Sequence, residues 1–341
     1  MLNSGGERAY VYAKSRGLMG KSFIGNRVRL LSRLTRLSEL DRLVFPAAGR
    51  ELPEQELLPD LERRISARSV KAILKIVSSF SKPPGLLVAL IRSYEYAGLK
   101  TALSALANGS PEAGPHTDIS PYGRIRFGAY PELSAMTGGT VFQWIGALDK
   151  SALTGKAGIL LQMRLDSQYY EELWKALMAT PKKDRGDAEK IIGAEISLRN
   201  SVWALRLRVY YEFEEKDIAA GLVHIGPSGA KRDFAAAAEE SLSLALASRA
   251  AWRKWRWEAL LNPEKPGEAW KPDPRYVQNA AAAYLYRMVR LSFRRGLFSV
   301  NTSCCCIKLK QIEEDLLTSV AEGLRLGVMP KDVLAMQGVL A

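Results

Sequence analysis

The chain has 341 residues, of which 47% are hydrophobic and 25% charged, with a formal net charge of +13. That length is ample for a buried core and for two or three domains, and the balance excludes a disordered chain. No run approaches the ~18 apolar residues of a membrane span, and MLNSGGERAY lacks the apolar core of a signal peptide. A cytoplasmic protein is expected, able to rest on a membrane without entering it.

The first 45 residues hold nine basic and three acidic side chains, nearly half of the net excess. They read as two helices, RAYVYAKSRGLMGKSFIG and NRVRLLSRLTRLSELDRLVFP. In the second, Val28, Leu31, Leu34, Leu37, Leu40 and Val44 form one apolar stripe at helical spacing, and Pro46 marks the stop. Arg27, Arg29, Arg33 and Arg36 occupy much of the remaining surface. They are a candidate contact face for an anionic membrane, nucleic acid or an acidic protein, or else an ordinary solvated face. Gly17, Gly20 and Gly25 do not make a phosphate loop. No strand precedes them, and Ser15 stands where the upstream glycine would be.

A helix-forming pattern then recurs. YEYAGLKTALSAL near residue 95, ISLRNSVWALRLR near 197 and IEEDLLTSVAEGL near 313 each open on an acidic or short polar residue: Glu95, Ser197 and Glu313. A second helical stretch, opening at Glu62, Gln162 and Gln278, precedes them by 33, 35 and 35 residues. Similarity at a fixed period marks a duplicated helical unit. Three units are predicted, with approximate bounds 1–112, 113–230 and 231–341.

Between the first and second units, SPEAGPHTDISPYGRIRFGAYPEL is rich in Pro, Gly and Ser and reads as a long connector. Arg124 and Arg126 alternate there with Ile125 and Phe127, which allows a short edge strand. Helical signal resumes near 131, with Tyr169 and Trp174 as core aromatics. A long helix is expected from about 186 to 216, followed by the acidic run Glu212, Glu214, Glu215 and Asp217, read as solvated surface. In the third unit, FAAAAEESLSLALASRAAWRKWRWEALL has strongly helical composition. Trp252, Trp255 and Trp257 alternate with Arg253, Lys254 and Arg256. That pattern suits base stacking on a phosphate-binding face or a membrane-interface belt. It equally suits a helix with Trp252 and Trp255 inside and the cations outside. The Pro-rich stretch 262–275 reads as a loop and a candidate contact surface. His116 and His224 are far from each other and from any cysteine, so neither is expected to bind metal or act as a base. Cys304, Cys305 and Cys306 are adjacent, which precludes zinc-knuckle geometry. On a helix they point three ways as small buried groups.

Several of these segments resemble the C subunit of the A/V-type rotary ATPases, known as the d subunit in the eukaryotic V-ATPase. Tyr10, Tyr12, Ala13 and Arg16 resemble its opening Y-x-x-A-x-x-R. YEYAGLK is similar to an acidic-x-x-Asn-Leu-Lys segment, with Glu95 and Lys100 in place and Gly98 where the family has Asn. Leu165 to Tyr170, with Asp166, Tyr169 and Tyr170, is similar to Leu-Asp-x-x-Tyr-Tyr and is the most specific match. Glu195 to Asn200 resembles an Asp-x-x-Asn segment in which Ser197 replaces Asp and Asn200 is retained, and Arg206 matches the basic residue that follows. Ile225 to Gly229 resembles the loop closing the second unit. Lys310 and Glu313 match part of a Lys-Glu-x-Glu signature whose other acid is here Gln311. Residues 232–275 match poorly.

The resemblance implies an all-α fold of three helical units around a pseudo-threefold axis, shaped as a funnel. It implies a non-catalytic central-stalk adapter without cofactor or metal, one copy per complex, peripheral on the inner face of the membrane. Its partners would be the proteolipid ring and the central-shaft subunits, coupled during ATP-driven ion transport or ATP synthesis. For Glu95 and Glu313 the residues allow two roles: neutralising helix N-termini, or facing the funnel to bind basic shaft residues. A basic helical nucleic-acid-binding protein and an enzyme of another kind are the competing classes. The transported ion, proton or sodium, and the direction of coupling belong to other subunits.

Overall fold

The computed structural model describes residues 4–47, 52–225 and 233–339, and within them every regular element is helical. The N-terminal region forms α1 (Ser4–Gly20), α2 (Val28–Leu31) and α3 (Leu37–Val44). The six apolar residues of the predicted stripe are all buried, but they do not share one helix. The chain breaks after α2, and Glu39 fixes the restart by accepting the backbone N–H groups of Thr35 (2.8 Å) and Arg36 (3.3 Å). A glutamate three residues into a helix satisfies otherwise orphaned donors at its start.

The next elements are α4 (Glu54–Val77), α5 (Gly85–Ile91) and α6 (Ser93–Ala107). The connector after α6 holds no strand; Phe127–Ala129 is a 3₁₀ turn. There follow α7 (Leu133–Thr137), α8 (Gly155–Ala179), α9 (Lys182–Arg185), α10 (Ala188–Tyr210) and α11 (Glu215–Gly221). α10 stops six residues before the expected end, and Glu212, at φ +52°, turns the chain. The acids after it are on the surface or half-buried. The repeat helices α4 and α8, like α13 (Pro274–Arg295) below, begin four to eight residues earlier than their sequence signals.

The alanine-rich stretch is α-helical only over α12 (Ala236–Ser243), with short 3₁₀ turns at Arg249–Trp252 and Glu258–Leu260. Beyond it the chain runs in turns, because the tryptophans recruit backbone carbonyls as partners. The indole N–H of Trp252 donates to the Ala245 carbonyl (2.9 Å), that of Trp255 to Ala237 (2.6 Å) and that of Trp270 to Asn262 (3.1 Å). All of them, with Trp257, are buried in one apolar cluster, while Arg253, Lys254 and Arg256 lie outside. The inside–outside division was legible in the sequence, but turns rather than a helix carry it. The buried rings offer no exposed face for base stacking. Asn262 also ties the Pro-rich loop by accepting from Asp273 N–H (2.8 Å) and donating to the Lys271 carbonyl (3.0 Å).

The chain ends with α13, α14 (Val300–Arg325) and α15 (Pro330–Met336). Every residue from Val300 to Lys310 is buried. A helix buried on all sides is the centre of a domain, and α14 packs against α1, α3, α4, α5, α10 and α13. The cysteines do point three ways. Cys305 Sγ lies 3.4 Å from Ser292 Oγ on α13, and Cys306 Sγ is 3.7 Å from the Ser15 carbonyl on α1. Burial pushes both thiols up to about 12. One apolar core runs from α1 through α4, α5, α6 and α8 to α14.

α1 crosses the turns that join the long helices. Glu7 accepts the Ser81 N–H in the α4–α5 turn (2.5 Å), and Lys14 donates to Ser79 (2.8 Å). Arg8 pairs with Asp184 of α9 at 2.8 Å. Arg16 donates to the carbonyls of Phe293 (3.0 Å), Arg294 (3.2 Å) and Gly296 (3.4 Å), where α13 ends. One helix therefore ties three turns at one end of the molecule. Of the loop from Ile225 to Gly229, residues 226–229 lie outside the described residues.

Candidate functional site: a central cavity

The six helices singled out by the sequence repeat, α4, α6, α8, α10, α13 and α14, all contribute to the wall of one cavity of about 1140 Å³. Its charged groups are joined across helices. Asp166 of α8 accepts from Lys100 of α6 and Arg199 of α10, each at 2.5 Å. Glu195 of α10 accepts from Lys308 of α14 at 2.7 Å and from the Tyr170 hydroxyl at 3.2 Å. Charge withdrawn from water survives only when paired; here the pairs also tie neighbouring helices. Burial pulls Lys100 below its ordinary value against the opposing pull of Asp166. Burial also keeps the Tyr169 and Tyr170 hydroxyls protonated far above their usual range.

Asp315 is different. Its carboxylate lines the cavity with no hydrogen-bond or ion-pair partner among the described residues. Asp315 is itself exposed to the cavity's solvent. The mass of protein around the cavity, with Glu314 beside it, still pushes its pKa up to about 7. Glu314 accepts the Tyr94 hydroxyl, and burial raises it too.

Glu95 and Glu313 lie behind this wall, 2% and 0% exposed, and neither lines the cavity. For Glu313 the expected helix-start role is corrected. Glu313 is in the middle of α14, where it accepts the Phe23 N–H (2.6 Å) and pairs with Lys310 and with Arg68 (3.6 Å). Burial raises its pKa, but Lys310 and Arg68 outweigh that and leave it below the ordinary range. Glu95 is in the first turn of α6, yet its carboxylate holds the connector: the N–H groups of Arg124 and Ile125 (the latter at 2.9 Å) and the Arg124 guanidinium (2.9 Å). Arg124 continues to Glu172 on α8 at 2.6 Å. Both acids do satisfy backbone N–H groups, but those of distant segments.

The other sequence candidates are dispersed. Asn200 exchanges two bonds with the Val223 backbone (2.9 and 3.0 Å), and half-buried Arg206 lies beside the Trp203 ring. Tyr10 is exposed beneath Lys14. Arg27 covers the Phe23 ring at 4.4 Å, while Arg29, Arg33 and Arg36 are exposed. Among the described residues, no three His, Cys, Asp or Glu side chains are placed to hold a metal. No helix there is long and apolar enough to cross a membrane.

The model of the ATP synthase (C/AC39) subunit matches residues 48–336. The chain belongs to that family. The family is that of a structural, non-catalytic subunit of V/A-type ATP synthases, which places the chain in a rotary ATPase complex. Tyr10, Ala13 and Arg16 fall before the matched residues. An uncharacterized protein of Treponema pallidum (strain Nichols) is 27% identical over 332 residues, spanning 95% of each chain.

Three departures from the C/AC39 pattern have local causes. A side chain at Gly98 would meet His116 Cβ and the Phe127 ring at 3.0 Å, since that stacked pair covers α6 there. Ser197 is fully buried and accepts the Trp257 indole N–H at 3.2 Å, a place too dry for an aspartate. The Gln311 amide donates to Ser93 Oγ (3.0 Å) and the Leu90 carbonyl (3.3 Å), which an ionised glutamate could not do. Sequence reading missed Lys308, Glu195, Arg199 and Asp315 as cavity groups. The available signal was Lys308 and Lys310 inside an otherwise uncharged, cysteine-rich run.

Proposed function

We propose that this C/AC39 subunit is the non-catalytic adapter of the central stalk, seating the end of the rotating shaft in its cavity and resting on the ring of membrane proteolipids. The supporting observation is the cavity of about 1140 Å³ walled by all six repeat helices. A small-molecule site is typically 300–1,000 Å³. An α-helix is about 10–12 Å across, so this volume takes roughly two to three turns of an inserted helical end.

The ion pairs between helices suit torque transfer. A seat that must not slip needs walls tied to one another, and Asp166 and Glu195 tie α6, α8, α10 and α14. In this reading the three sequence units are arranged about a pseudo-threefold axis as a funnel, with one copy per complex on the inner membrane face. The arginine-rich face of residues 27–42 meets an acidic neighbouring subunit. Rotation passes through the body in either direction, as ATP is hydrolysed or made.

Affinity isolation of the protein from gently solubilised native membranes tests this. Shaft and proteolipid subunits should co-purify in fixed proportion. Recovery of nucleic acid in their place, or of neither subunit, would overturn the reading.

A further inference from the structure

The end of the molecule strapped by α1 gathers cations and apolar side chains from turns far apart in sequence. Glu7 and Arg8, adjacent on α1, reach the turn 78–84 and α9, and Arg16 reaches the turn after α13. The last two turns also meet directly: Gly186, at φ +50°, lies against Asn301 near the start of α14. Lys82, Lys182, Lys183, Arg294 and Arg295 thus share one end, all exposed and none ion-paired among the described residues. The acids there are already engaged. Asp184 is held by Arg8, Glu7 by Ser81 and Glu189 by Arg185.

Apolar groups project amid these cations. Leu297 is 64% exposed and Phe298 50%. Phe298 adopts φ +40°, a backbone conformation that non-glycine residues seldom keep without a gain elsewhere. Its ring is held 4.8 Å from that of Tyr12 on the strap. Projecting Leu and Phe flanked by Lys and Arg is the composition that enters a headgroup layer, with cations on phosphates and apolar tips below them.

We propose that the α1-strapped end binds anionic phospholipid headgroups at a membrane surface, through Lys182, Lys183, Arg294 and Arg295 with Leu297 and Phe298 inserted between them. On α14 the cavity wall runs from Lys308 to Asp315, about 13–24 Å along the helix from this end, and on α13 it stops at Val289, about 8 Å short of Arg294. The lipid-binding end and the shaft seat are therefore distinct places, and one can fail without the other.

Flotation of the purified full-length chain with phosphatidylglycerol-containing vesicles, beside pure phosphatidylcholine vesicles, is the test. Binding is expected to the anionic vesicles alone, to fall as salt rises, and to drop roughly five-fold for each of the four cations changed to Gln. Leu297→Ser with Phe298→Ser should weaken it further while leaving net charge intact. A triple Arg29→Gln, Arg33→Gln, Arg36→Gln variant serves as control. An equal loss with that control would show mere net-charge attraction and overturn the proposal. So would equal binding to neutral vesicles, or binding to duplex DNA with none to vesicles.

Discussion

Asp166 and Arg295 stand on the same scaffold of long helices but in opposite surroundings. Asp166 faces a cavity and is held by two cations from two other helices. Arg295 is the exposed last residue of α13, with no ionic partner among the described residues. Enclosed charge without a partner costs several kcal/mol, so the cavity wall is forced into pairing. Charge on the strapped end keeps its hydration and stays available for an external anion. Within the cavity Asp315 breaks the pattern, and its pKa displaced to about 7 is the physical consequence. Pairing therefore marks what holds this protein together, and its absence marks surfaces open to a partner.

The contrast can be broken most severely at Glu313. Glu313→Gln leaves Lys310 and Arg68 facing a neutral amide in a fully buried site. A loss of about 3–5 kcal/mol is expected in urea unfolding; unchanged stability would show that the pair contributes nothing. Asp166→Asn should cost less, about 2–3 kcal/mol, because cavity water screens Lys100 and Arg199. Adding Lys100→Met should return part of that loss, which a double-mutant cycle measures directly.

Asp315 sharpens the comparison in the other direction. A carboxylate whose folded pKa is raised prefers the folded state when protonated, so the penalty is absent below the ordinary value of 3.8 and grows as pH rises through about 7. Asp315→Asn should therefore stabilise the protein by about 1–2 kcal/mol above that window, discounted for solvent in the cavity, and by nothing below it. Equal stability curves for the two proteins across this range would contradict the assignment. The smallest effect belongs to the strapped end. Changing Lys182, Lys183, Arg294 or Arg295 singly to Gln should move unfolding by less than about 0.5 kcal/mol, as at any unengaged surface site.

Helical character was legible because apolar spacing is local. The buried stripe from Val28 to Val44 is likewise an inside–outside property of sequence. Where a side chain recruits a backbone group that the helical ladder would otherwise use, apolar spacing alone misled. Glu39 divides that stripe into two helices, and the tryptophan indoles replace the helix that alanines predict. Of the site, Lys100, Asp166, Tyr169 and Tyr170 were found through the family resemblance. Lys308 and Asp315 were not, because their significance depends on α14 lying at the centre of the molecule, which no spacing within α14 reveals.

The central claim, that the cavity receives the end of the shaft, is tested most directly by placing a photo-crosslinking residue at Ala282. This exposed position lines the cavity on α13. In the intact membrane complex, irradiation should join Ala282 to a shaft subunit, while the same group at Leu297 should not capture it. An intact complex in which Ala282 captures no shaft subunit would contradict the account.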